Sequence, residues 1–109
     1  MQYLFAVIAN RNERVHADSS EVAAIDAFNE KIAAAGQRIY AVGLEDPTLS
    51  MVFDDRNGSE TMTRGPVVDS DDFMAGLWII EVPSEFEAHQ LAAEASRACN
   101  RRIEVRAVL

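Results

Sequence analysis

The chain has 109 residues, 49% hydrophobic and 26% charged, which fits one globular domain over residues 1–109 with one core. Its net charge of −8 argues against nucleic acid or an anionic membrane as partner, and its one cysteine, Cys99, excludes an intrachain disulfide and a multi-cysteine zinc site. No apolar run approaches the ~18 residues of a membrane span and no basic residue precedes Arg11, so neither a span nor a secretory leader is expected, and a reduced, cytoplasmic setting is.

Tyr3 to Ala9 is a short apolar run with β-branched and aromatic members, and reads as a strand covered on both faces. Asn10 to Ser20 is polar and reads as a loop. Asp18 with Glu21 three residues on is a capping box, and Val22, Ile25, Phe28, Ile32 and Ala35 then form one helical stripe. Gly36 suits the position just past that helix. Arg38 to Leu44 is the second strand, broken by Glu45-Asp46-Pro47.

Leu49 to Asp54 and Ser59 to Thr63 flank Asn57-Gly58, a strong hairpin signal because both residues accept positive φ. That turn sets Phe53 opposite Met62. Arg64 to Ala75 reads as an acid-rich loop, and Gly76 to Val82 as a strand apolar on both faces except at Glu81. Ser84 and Glu87 form a second capping box. Ala88, Leu91, Ala92, Ala95 and Cys99 make the second stripe, Asn100 suits a left-handed cap, and Ile103 to Leu109 is a half-exposed last strand.

Strand, helix, strand, hairpin, strand, helix, strand is an α+β order, ferredoxin-like βαββαβ with an extra β-hairpin arm. Two right-handed crossovers put both helices on one face of one antiparallel sheet. The first strand and Gly76–Val82 fall at its centre, where doubly apolar runs belong. The uncovered face must then carry Tyr3, Phe5 and Val7 or Leu4, Ala6 and Ile8, with Trp78 and Ile80 or Leu77 and Ile79. Such a patch exceeds what soluble monomers expose, so a homodimer through the open sheet face is expected.

Charge is segregated along the chain. Leu44 to Asp72 holds eight acids against Arg56 and Arg64, a net −6 over 29 residues; Arg97 to Leu109 holds four arginines against Glu104, a net +3. The bland reading is a solvated acidic face and a basic last strand. The sharper one is mutual attraction, within a chain or across a dimer.

The run Arg64-Gly65-Pro66-Val67-Val68-Asp69-Ser70-Asp71-Asp72-Phe73-Met74-Ala75-Gly76-Leu77-Trp78-Ile79-Ile80-Glu81-Val82 resembles, without a gap, the DGPFAETKE and L-G-G-F-Y-L-I-E-V stretch of the YCII-related, DGPF-type proteins. Ile103 to Val108 resembles their V-E-V-R-P-V end, and Met1-Gln2-Tyr3-Leu4 their M-K-Y-L start. Gly65, Pro66, Gly76 and Glu81 match. Arg64 stands for the leading Asp, Val67 for Phe, Asp69-Ser70 for Glu-Thr, Asp71 for Lys and Asp72 for Glu. The resemblance implies a dimeric α/β barrel of largely unassigned role. Some members of that family accompany sigma factors, and some relatives look like enzymes using a His–Asp pair.

His16, just before the first helix, is the general-base candidate, since a histidine titrates near neutrality, with Asp18 beside it; the bland alternative is a solvated loop histidine. Arg64, Asp69, Ser70 and Asp72 are the ligand-binding candidates of the signature loop, against ordinary turn chemistry. Glu81, a carboxylate in a central strand, either faces the cleft or pairs with an arginine such as Arg106. Asp69, Asp71 and Asp72 lack the glycine and distal glutamate of a calcium loop, so no metal is expected, and no sequence motif calls for a cofactor. His89 is expected at the surface and Cys99 in the core. Three functional readings follow: a dimer binding a small molecule between sheet and signature loop, a regulatory module without chemistry, and a cofactor-free monooxygenase-like enzyme.

Overall fold

A computed structural model describes residues 1–14 and 16–109. The elements are β1 (Gln2–Asn10), α1 (Ser19–Ala34), β2 (Arg38–Gly43), β3 (Met51–Asp54), β4 (Thr61–Arg64), β5 (Asp72–Glu81), α2 (Glu85–Cys99) and β6 (Arg102–Ala107). The main sheet has the order β2-β5-β1-β6, with every pair antiparallel, and β3 and β4 form a separate two-stranded sheet. This is the expected ferredoxin-like α+β order, with β1 and β5 at the centre.

Register settles which alternate set lies under the helices. Phe5 pairs with Trp78 and Tyr3 with Ile80, and these four side chains are buried in one cluster with Phe28 and Ile32 of α1 and Leu91 and Ala95 of α2. Phe28 and Trp78 meet edge to face with centroids 5.3 Å apart. Leu4, Ala6, Ile8, Leu77 and Ile79 therefore point to the other face, joined there by Tyr40 and Val42 of β2. Among the described residues no helix covers that face. On β6 the same face carries Arg102, Glu104 and Arg106.

The sequence reading needs correction at several places. β5 begins at Asp72, not Gly76: Phe73 and Met74 pair with Ala9 and Ile8, across a bulge that leaves Ala75 without a partner on β1. The acids at 71 and 72 disguised this strand extension as loop. Leu49 belongs to a 3₁₀ turn started by Pro47, so β3 starts at Met51, and β6 ends at Ala107.

On α1 the buried positions are Glu21, Phe28 and Ile32, with Ile25 partly covered; Val22 and Ala35 are exposed. The stripe is displaced because a charged residue, Glu21, takes the first inward position. On α2 the buried residues are the five of the expected stripe, and Asn100 adopts the left-handed cap at φ 53°. In the arm Asn57 and Gly58 both have positive φ and Phe53 faces Met62, as expected, but the tip is a 3₁₀ turn over Arg56–Gly58 followed by Glu60 at φ 52°, so the returning strand starts at Thr61 rather than Ser59.

Candidate functional site

α1 packs mainly on α2 and little on β2. The helix-side positions of β2 and its neighbour are small there, with Ala41 beside Trp78 and Gly43 beside Gly76. Small side chains under a helix that leans away leave a cleft of about 1120 Å³. Its apolar wall is Val7, Ile25, Phe73 and Trp78, and its polar groups are His16, Asn29 and Arg101, with Glu45 and Asp46 also in the lining.

Each polar group is held by its neighbours. Asn29 Nδ2 donates to Ile25 O at 3.1 Å, which aims its Oδ1 at the indole N–H of Trp78, 2.9 Å away. Arg101, with its side chain 11% exposed, reaches Glu21 Oε2 at 3.4 Å and donates to Asn100 O at 2.9 Å and to Arg14 O. Arg14 in turn donates to Glu21. One nearly buried carboxylate is thus shared by two guanidiniums, and it pins the segment entering α1 to the end of α2. Burial of that charge is tolerable because it is paired and hydrogen-bonded.

His16 lies in that pinned segment, exposed, at the cleft. Asp18 does not turn toward it. Its carboxylate accepts from Glu21 N at 2.9 Å, Ser20 Oγ at 2.8 Å and Arg14 Nη1 at 3.0 Å, completing the expected capping box. Those bonds, the Glu21 N–H first, hold its pKa down at about 2. Among the described residues no hydrogen bond joins His16 to Asp18. Cys99 is buried at the cleft, where loss of solvent pushes its thiol pKa up. His89 is exposed on α2, 3.5 Å from Glu85.

The signature-loop residues lie elsewhere. Asp72 accepts from Asn10 Nδ2 at 2.8 Å and from Arg102, whose guanidinium, with that amide, lowers its pKa. Asp69 stands 3.8 Å from Arg11, and Ser70 Oγ accepts from Asp72 N at 3.2 Å. Arg64 is exposed on β4 opposite Met51. None of these four lines the cleft, nor does Glu81. The partner of Glu81 is the Met1 amino group at 2.9 Å, not Arg106: Glu81 ends β5 beside Gln2, whereas Arg106 lies across from Leu4 on the far edge.

Asn29, Trp78 and Arg101 were not read as site residues. The available signals were an asparagine interrupting an apolar helix face and the chain's one tryptophan on a central strand. Among the described residues no group of three or more His, Cys, Asp or Glu gathers as metal ligands. No helix is long and apolar enough to cross a membrane.

A four-stranded antiparallel sheet with two helices on one face and a cleft beside the first helix defines a small ferredoxin-like α+β protein. The family model of the YCII-related domain matches residues 1–109, and the chain belongs to that family. No curated protein matches it.

Proposed function

We propose that the protein is a cytoplasmic homodimer that binds a small molecule in the cleft beside α1. The observation carrying the ligand reading is the cleft itself: about 1120 Å³, walled by aromatic and aliphatic side chains, with His16, Asn29 and Arg101 converging on it. Mostly apolar walls with a few placed polar groups are what ligand sites share. His16, the exposed member, is the imidazole placed where a bound molecule would meet it. Asn29 and Arg101, held by their own bonds, shape the wall. Asp18 supports His16 by fixing the helix start.

The dimer reading rests on area. The chain exposes 7300 Å², whereas a compact monomer of 12.0 kDa exposes about 6000 Å². The excess, about 1300 Å², exceeds the ~800 Å² each partner contributes to a standard interface. The uncovered apolar sheet face is part of it. A cytoplasmic setting suits a chain whose one thiol is buried.

Trp78 in the cleft wall provides the assay. Titrating a library of small organic acids and amines is expected to give at least one saturable change in its fluorescence and a matching rise in melting temperature. Ala41→Phe fills the floor and is expected to abolish that response, His16→Ala to weaken it, and Arg64→Ala, outside the lining, to leave it unchanged. A response that survives Ala41→Phe would refute the site. Size-exclusion with light scattering tests the dimer separately, and a mass of 12.0 kDa at high micromolar concentration would refute it.

A further inference from the structure

Among the described residues the β3–β4 arm is a hairpin whose strands pair with each other and pack little on the helices or the main sheet. A lone two-stranded hairpin is marginal in water and needs a surface to lie on. This one is nonetheless well specified. Its tip, residues 55–60, holds a 3₁₀ turn over Arg56–Gly58, Arg56 clasps Asp54, and the hydroxyls of Ser59 and Thr61 both donate to Asp54 O.

One arm face carries a cross-strand apolar pair, Phe53 and Met62, 71% and 64% exposed. Leu49, Val67 and Val68 near its base are exposed too. The molecule is also spread out, with a radius of gyration of 15.8 Å, against about 13 Å for a compact chain of this length.

Charge indicates the occupant. The arm, Met51 to Arg64, holds Asp54, Asp55 and Glu60 against Arg56 and Arg64, a net −1 inside a segment, Leu44 to Asp72, of net −6, and Arg97 to Leu109 has a net +3. Among the described residues the ion pair that joins the two within the chain is Arg102–Asp72. Arg97 and Arg106, and on the arm Asp55 and Glu60, remain exposed. A second copy of the chain offers what the arm lacks, apolar surface beside an uncovered sheet face, and its basic C-terminal segment, where Arg106 lies 4.0 Å from Glu104 and Arg97 is exposed, faces outward to meet Asp55 and Glu60.

We propose that the arm of each protomer lies on a second copy, with Phe53 and Met62 buried against it and Asp55 and Glu60 facing the basic C-terminal segment of the partner subunit. This rests on the homodimer reading above and adds the element that clasps it. The test is amide hydrogen exchange on the intact protein at concentrations below and above dimer formation. The amides of Met51–Asp54 and Thr61–Arg64 are expected to exchange about tenfold or more slower in the dimer. A Phe53→Ser, Met62→Ser double variant is expected to raise the dimer Kd about tenfold or more, with Trp78 emission unchanged because the arm lies apart from the core.

Arm exchange that ignores concentration while the dimer forms, or an unchanged dimer Kd in a folded double variant, would overturn the arm's role and leave the dimer standing. A wild-type chain that stays monomeric would overturn both. Should the double variant not fold, the exchange measurement on the wild type decides.

Discussion

Gly76→Ala separates a steric requirement from a conformational one. Gly76 has no positive φ, so an alanine fits its backbone, yet a Cβ there would sit 2.8 Å from Val42 O and 3.3 Å from Gly43 Cα. Both obstacles are backbone of the neighbouring strand and cannot rotate aside. β2 must withdraw by about 0.5 Å along its ladder with β5, straining the bond from Leu44 N to Ala75 O, now 2.9 Å. Overpacking of this kind costs about 1–3 kcal/mol, a sizeable part of the ~5–15 kcal/mol that holds a domain folded. For a chain of this length that lowers the melting temperature by about 5–15 °C.

The control is the residue opposite it in register. Gly43 has nothing within 4 Å of its would-be Cβ and no positive φ. Gly43→Ala therefore only restricts the unfolded chain, and is expected to be neutral or to stabilise by up to about 1 kcal/mol. The same substitution at two facing positions should shift stability in opposite directions. Urea unfolding followed by Trp78 fluorescence reads both. Equal costs at the two positions, or a Gly76→Ala change within about 0.5 kcal/mol of wild type, would refute the close-approach argument.

Two further perturbations address the segment that holds His16. Glu21→Ala removes the carboxylate that Arg14 and Arg101 share and is expected to cost about 2–4 kcal/mol, with Glu21→Gln costing less because an amide oxygen can still accept; urea midpoints compare them. For Asp18 the folded pKa of about 2 lies below the ordinary 3.8. The unfolded chain therefore takes up the proton first. The stabilisation is fully present above that ordinary value and is lost as pH falls toward 2. An Asp18→Asn variant is expected to show a flatter loss of stability across this window than wild type, measured as urea midpoint against pH.

Periodicity and turn chemistry made most of this fold legible. The α2 stripe, the Asn57-Gly58 turn and the central places of the two doubly apolar strands could be read because local preference and tertiary demand agree there. The start of β5 was hidden because Asp71 and Asp72 look like loop residues, and only pairing with Ile8 and Ala9 makes their neighbours strand. The α1 stripe was misplaced by Glu21, whose burial depends on Arg101, 80 residues away. The cleft was least legible. It arises where α1 leaves β2 uncovered, a fact of helix placement that no single segment encodes.

The signature loop gains a role from its bonds. Asp71 stands where the resembling family has a lysine, and a reversed charge must be answered nearby or left to water. It is answered by the residues just after β1: Arg11 N donates to Asp71 O at 2.9 Å, Asn12 Nδ2 donates to its carboxylate at 3.1 Å, and the Arg11 guanidinium lies 3.9 Å away. Asp72 likewise takes Asn10 and Arg102. The connection from β1 to α1 is therefore gripped at both ends, by signature-loop acids at residues 10 to 12 and by the Arg14–Glu21–Arg101 network before the helix. His16 sits on the span next to the second grip. On this geometry the signature acids tether the strand end that leads to His16 and stay outside the cleft lining, and exposed single pairs of this kind each contribute little unless they work as a network.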